Sequence, residues 1–174
     1  MPKADATTHY AFRGVVDEDF PLLARWLAEP HIAEWWDAVD EELASIKASM
    51  TSVETRPMIV ELDGAPLAYI QTYDPHLEED HPYQDQPKGT IGLDISIGNS
   101  DLLGKGHGSA IIRQMAAELF AAGAKRIVID PHPANTRAIR AYEKAGFRHV
   151  DTRTSIYGPA HFMVLDPPQE TDVI

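Results

Sequence analysis

Between residues 90 and 129 the chain offers a strand, a glycine-rich turn, a helix and a second strand in immediate succession, and few folds accommodate that order. Thr90 to Ile97 alternates strictly, with Ile91, Leu93, Ile95 and Ile97 on one side and Thr90, Gly92, Asp94 and Ser96 on the other. That is the period-two pattern of a strand with one apolar face and one small, polar face. Gly104-Lys105-Gly106-His107-Gly108 then leads into a helix whose stripe is Ile111, Ile112, Met115, Ala116, Leu119 and Phe120, ending near Gly123. Arg126 to Ile129 (RIVI) has the composition of a strand buried on both faces. Strand, helix and strand in this sequence require a parallel crossover.

Residues 9–15 predict a short strand. The acidic run Asp17-Glu18-Asp19 favours the start of a helix bearing Leu22, Leu23, Trp26 and Leu27, which Pro30 ends. Residues 40–50 predict a second short helix, with Leu43, Ile46 and Met50 on one side. Strands at about 57–62 and 66–73 join through the hairpin signal Asp63-Gly64. Residues 74–88 form a long loop rich in proline and acid, and loops of that length in a small domain are often functional. A helix from Asn135 to Ala145 closes on Gly146, and strands at Phe147–Thr152 and Ala160–Leu165 follow. The order β-α-α-β-β-β-α-β-α-β-β predicts an α/β (α+β) fold. Its sheet is mixed, of about seven strands, with about four helices on both faces. One domain is expected over 1–174, with its core at about 9–166 and a frayed tail at 167–174.

Composition narrows the function classes. With no cysteine there is no thiol nucleophile, disulfide or cysteine-held zinc. No apolar run is long enough to cross a bilayer, and the first residues lack the apolar stretch of a signal peptide, which points to a cytoplasmic protein. No histidine pair has helical metal-ligand spacing, so no metal site is expected. The net charge of −12 disfavours nucleic acid and anionic membranes and favours cationic partners.

Glycines at the start of a helix let backbone N–H groups converge on an anion that the helix dipole also favours. The turn is not a Walker loop, for no Gly-Lys-Ser/Thr ending is present, and it lies too late in the chain for a Rossmann fingerprint. A second motif adds to it: Asn135-Thr136-Arg137-Ala138-Ile139-Arg140-Ala141-Tyr142-Glu143-Lys144-Ala145-Gly146-Phe147. Taken singly, Asn135 suits an N-cap and Tyr142 a core position. Together with the glycine turn, the segment resembles the GNAT superfamily of N-acetyltransferases. Their cofactor motif reads R/Q-x-x-G-x-G/A, and their later helix reads N-x-x-A-x-x-x-Y-x-x-x-G-F.

The resemblance implies acetyl-CoA as cofactor. Backbone N–H groups of Leu103, Gly104, Lys105, Gly106, His107, Gly108 and Ser109 would hold the pyrophosphate, and Asn135 and Ala138 of the later motif would meet the cofactor. Tyr142 would be the general acid that protonates the departing thiolate. Leu103 departs from the family's Arg/Gln, which removes one side-chain contact. With no covalent nucleophile evident, direct attack of an amine on the thioester is expected.

A narrower similarity runs from about Phe12 to Leu165. His31-Ile32-Ala33-Glu34-Trp35-Trp36, Gly92-Leu93-Asp94, the turn, and Asp130 through Phe147 resemble aminoglycoside 6'-N-acetyltransferases, which read HIVEWW, GID, LGKGLG and DPSPSNLRAIRCYEKAGF there. This implies a cationic amine as substrate, with Asp94 as general base. An ordinary aspartate titrates near about 3.9, so Asp94 either becomes a base through burial or only orients the amine. Trp35 and Trp36 are adjacent and cannot share one helical stripe, so one is expected to face the cleft. Glu78, Glu79, Asp80 and Asp85 of the long loop, and Asp130 after the buried strand, are further acidic candidates for the acceptor. A strongly anionic cofactor on an acidic protein also requires local cations, for which Lys105, Arg137, Arg140 and Lys144 are available. Two other functions fit the motifs: a GNAT acyltransferase acting on a siderophore precursor, and a non-catalytic acyl-CoA-binding module. The assembly is expected to be a monomer or a homodimer.

Overall fold

The side-chain alternation of the central strands sorts the molecule into two cores, one on each face of a single sheet. The computed structural model describes residues 2–169, so the part of the expected tail at 170–174 lies outside the described residues. In chain order the elements are β1 (Ala11–Gly14), α1 (Phe20–Leu27), α2 (Pro30–Ala33), α3 (Val39–Ser49), β2 (Thr55–Leu62), β3 (Ala65–Tyr73), β4 (Thr90–Ile97), α4 (His107–Ala121), β5 (Arg126–Ile129), α5 (Thr136–Lys144), β6 (Arg148–Ser155) and β7 (Gly158–Leu165). Seven strands form a sheet in the order β1-β2-β3-β4-β5-β7-β6. Every pairing is antiparallel except β4 with β5, the parallel crossover required by the strand, helix and strand at 90–129.

On β2 and β3, Met58, Val60, Ala68 and Ile70 enter the core shared with α4 and α5, and the intervening Ile59 and Tyr69 enter the core beneath α1, α2 and α3. Burial of Ile111, Ile112 and Met115 on α4 contributes about 1.5–3 kcal/mol each, which fixes the helix against the sheet. Asp63 (φ 51) and Gly64 (φ 79) both adopt the left-handed region, the type I′ geometry that matches strand twist in a two-residue hairpin.

Three expectations need adjustment. Pro30 does not merely terminate a helix: it occupies the first position of α2, where its missing N–H costs nothing, so the described residues hold five α-helices where about four were expected. The last two strands are longer than their apolar residues suggest. β6 runs to Ser155 with mostly exposed side chains, because backbone pairing with β7, not burial, carries it. Finally, the loop after β3 is pinned down. Tyr83 is 3% exposed in a cluster with Val128, Phe162 and Val164, and Arg153 grips Asp85 through two bonds of 3.0 Å.

Candidate active site

β4 and β5 are in register only from Thr90↔Arg126 to Gly92↔Val128. Beyond Gly92, β4 continues to Ile97 in register with β3 alone, so the sheet opens into a cleft between its two central strands. That opening lets groups from opposite faces meet. Leu93 belongs to the α4–α5 core, so Asp94 points to the other face, beside Gln71 and Tyr69. Tyr142 rises from the α5 side. Both line one cavity of about 770 Å3, together with Asn135, Trp35, Trp36 and Asp130.

Asp94 sits at the end of a short relay. Tyr69 donates from its hydroxyl to Gln71 Oε1 (2.6 Å), and Gln71 Nε2 donates to Asp94 Oδ2 (2.8 Å). Burial raises the Asp94 carboxyl well above the ordinary range, and the charge of Asp130 raises it further against the opposing Gln71 hydrogen bond. Asp130 is also raised, by burial, while the hydrogen bond from the Tyr83 hydroxyl to its Oδ2 holds it back. Two carboxyls in a desolvated cleft resist ionising together, so the pair retains a proton at a pH where surface aspartates have lost theirs. The Tyr142 phenol is raised too, first by burial and then by Asp94 and Asp130, and it is protonated at neutral pH.

The glycine turn fits a diphosphate. Gly104 (φ 73) and Gly106 (φ 81) take left-handed conformations; a Cβ on Gly104 would meet nothing within 4 Å, so the turn is open there, whereas one on Gly106 would stand 3.8 Å from Ala4 Cβ. Ala110 N–H donates to Gly106 C=O at 3.1 Å. The N–H groups of His107, Gly108 and Ser109 belong to the first turn, whose donors have no partner within the helix. Leu103 N–H, by contrast, bonds to the Ser100 carbonyl and leaves the donor set. The His107 ring is 1% exposed and engaged by Tyr10 and Pro2, so this residue offers the cradle its backbone only. Asn135 keeps both readings, for Oδ1 caps α5 by accepting from Ala138 N–H while the residue lines the cavity. Ala138, its N–H so engaged, packs its methyl on the core. Arg137, Arg140 and Lys144 are exposed on α5.

Both tryptophans reach the cavity. Trp36 packs edge-on against Tyr69 and the α1–α3 core, and Trp35 lies over His132 with ring centroids 5.2 Å apart. Of the loop acids, Glu78 lines the cavity and accepts from the Tyr157 hydroxyl at 2.9 Å. Glu79 and Asp80 are exposed and are not among the lining residues, because anchoring at Tyr83 and Arg153 turns that part of the loop to solvent. Among the cavity groups that carried no sequence signal of their own are Glu42 on α3, Gln71, and His81, whose ring centroid lies 5.3 Å from that of Tyr73. His31, from the HIAEWW segment, contacts the Ile97 carbonyl through Nε2 at 2.7 Å and ties α2 to the end of β4.

Comparison with known proteins gives concordant matches. The GNAT acetyltransferase domain model matches residues 15–154. An aminoglycoside N(6')-acetyltransferase type 1 of Klebsiella pneumoniae is 35% identical over 164 residues, which is 87% of this chain and 80% of that protein. The solved structure of AAC(6')-Ib in complex with paromomycin and acetyl-CoA aligns with a TM-score of 0.79 and 34% identity, covering 90% of this chain and 93% of its own. The aminoglycoside acetyltransferase AAC(6')-Ib in complex with coenzyme A and kanamycin aligns with the same TM-score and identity, over 91% and 95%.

Proposed function

The chain belongs to the GNAT acetyltransferase family, and on that premise we propose that it acetylates a primary amine of a polycationic acceptor, the 6'-amine of an aminoglycoside first among them. It is an N-acetyltransferase with acetyl-CoA as donor, and the reading puts its work, as one catalytic domain, in the cytoplasm where that donor is available. The acceptor class rests on one observation. Asp37, Glu42, Glu54, Glu78, Asp94 and Asp130 line the cavity, and no lysine or arginine does among the described residues. Such a wall repels anions and rewards an acceptor carrying several ammonium groups.

Acetyl-CoA supplies a thioester whose acyl carbon an amine attacks directly. Asp94 holds the amine and, because burial and Asp130 raise its carboxyl, accepts a proton more readily than a surface aspartate does. Gln71 fixes the carboxylate's orientation. Tyr142 carries the proton that the leaving sulfur needs. Burial first, and then the charges of Asp94 and Asp130, make that phenol a weak acid in the empty site, and a cationic acceptor between the two carboxylates offsets the second cause. Acceptor binding therefore readies the acid on the far side of the cleft.

The direct test is a thioester-consumption assay with kanamycin-type aminoglycosides, N-hydroxylated diamines and lysine derivatives, the acetylated nitrogen being located by NMR. Acetylation of the 6'-amine is expected. Turnover of hydroxylamines alone would move the acceptor to the siderophore class. Cofactor binding with no turnover of any amine would make the chain a binding module.

Glu42 supplies a finer check. Its Oε1 accepts from Asp37 N–H at 3.2 Å, a bond that glutamine retains, while burial raises its carboxyl. Glu42→Gln is expected to raise the acceptor KM by about five- to tenfold, the worth of roughly one charged contact, with kcat little changed. Equal KM values for the two proteins would remove Glu42 from the acceptor site.

A further inference from the structure

Residues 2–10 are strapped along the helix that carries the glycine turn. On α4, Gln114 brackets Tyr10, its Oε1 accepting from Tyr10 N–H at 2.8 Å and its Nε2 donating to Tyr10 C=O at 2.7 Å. Two helical turns nearer the cradle, the buried His107 ring spans the Tyr10 hydroxyl at Nδ1 (2.7 Å) and the Pro2 carbonyl at Nε2 (3.1 Å). Within the turn itself, Ala4 N–H donates to Lys105 C=O at 2.8 Å.

A carbonyl only accepts, so Nε2 of His107 carries the proton and donates to Pro2. In the tautomer protonated at Nε2 alone, Nδ1 is free to accept from the Tyr10 hydroxyl. One tautomer satisfies both ends. The two anchored residues, Lys105 and His107, flank Gly106 on either side. A turn built on Gly104 and Gly106 is otherwise expensive to order, since glycine loses the most conformational freedom of any residue.

We propose that His107 is a positioning residue for cofactor binding: by holding residues 2–4 across the turn, it fixes the backbone amides of 104–109 in the shape that receives the pyrophosphate. This rests on acetyl-CoA being the ligand of that turn, and it puts the device in the segment before β1, outside the residues that line the acceptor cavity. A ligand that meets a preordered cradle binds more tightly, with no additional contact.

The experiment titrates coenzyme A calorimetrically into the full-length protein and into His107→Leu, His107→Gln, Ala4→Pro and the His107→Leu/Ala4→Pro double variant. Proline at position 4 removes the N–H that reaches Lys105. Each of His107→Leu and Ala4→Pro is expected to weaken coenzyme A binding about five- to tenfold, the worth of one or two net hydrogen bonds. The double variant should bind no more weakly than the weaker single one, because both break the same strap. Glutamine carries a donor at the Nε2 position and should recover much of the loss. Amide exchange at 103–109 should quicken in the free His107→Leu protein, and the acetyl-CoA KM should rise. Wild-type affinity in His107→Leu, additive losses in the double variant, or amide exchange at 103–109 as slow as in the wild type would each overturn the proposal. Should His107→Leu fail to fold, Tyr10→Phe removes only the hydroxyl and is read in the same way. Failure of the wild-type protein itself to bind coenzyme A would overturn the cofactor assignment together with the strap.

Discussion

Asp94→Asn is expected to lower kcat/KM for an aminoglycoside by about 10²–10³, within the range for loss of a positioned proton acceptor, while coenzyme A affinity stays within about twofold. The substitution is nearly isosteric, and the asparagine Oδ1 can accept the Gln71 bond, so the strand keeps its geometry. What disappears is the charge that holds an ammonium group and the base that takes its proton. A loss mainly in acceptor KM would show that Asp94 anchors the amine and leaves the proton to solvent. A loss mainly in kcat would show the base. Unchanged kinetics would remove Asp94 from the chemistry.

The pH profile separates this aspartate from its neighbour. Burial and then the charge of Asp130 raise Asp94, so the acidic limb of kcat/KM lies above the ordinary carboxylate range. Asp130→Asn removes the second cause, and the limb is expected to move to lower pH. Stability follows the same groups. A carboxyl raised by folding binds its proton more tightly in the native state than in the unfolded chain. Its stabilisation is full below the unfolded value and is lost as pH rises through the native one. A bound polycation offsets that loss, so the thermal shift produced by kanamycin should grow from pH 5 to pH 8.

Alternation made β4 legible: Thr90–Ile97 has one apolar face, and the same period put Asp94 with Gly92 on the other. The crossover was legible because a uniformly apolar RIVI after a helix has few places to go except the middle of a sheet. Pairwise facts were not. Gln71 reaches Asp94 because β3 and β4 pair in that register, and hairpin length alone does not determine a register across a long loop such as 74–89. Glu42 reaches the cavity through the packing of α3 on Trp36, which no periodicity specifies. Glu79 and Asp80 drew notice for their charge, yet the decisive residue of that loop is the aromatic Tyr83, which anchors it from beneath. The glycine pattern offers the His107 N–H to the cradle and says nothing of its ring, which bonds Tyr10 and Pro2.

Gly92→Ala is expected to be the most damaging single-methyl change on β4. Gly92 pairs in register with Tyr73, whose ring lies across it, so a Cβ at residue 92 would stand 2.0 Å from Tyr73 Cζ and 2.3 Å from Cε2. No real contact is that short, so the ring must move. Tyr73 is 9% exposed, packs against His81 with ring centroids 5.3 Å apart, and lines the acceptor cavity. Overpacking of this kind costs about 1–3 kcal/mol, which for a domain of this size lowers Tm by roughly 3–10 °C. The displaced ring also takes acceptor volume two residues from Asp94, so acceptor KM should rise several-fold while coenzyme A binding is spared. Tyr73→Phe keeps the ring and should not relieve the defect, whereas Tyr73→Val should restore much of the lost Tm in the Gly92→Ala background. Calorimetric unfolding and acceptor KM of the four proteins decide it. A Gly92→Ala variant with wild-type Tm and KM would show that Tyr73 does not lie across β4 and that the cleft floor is built differently.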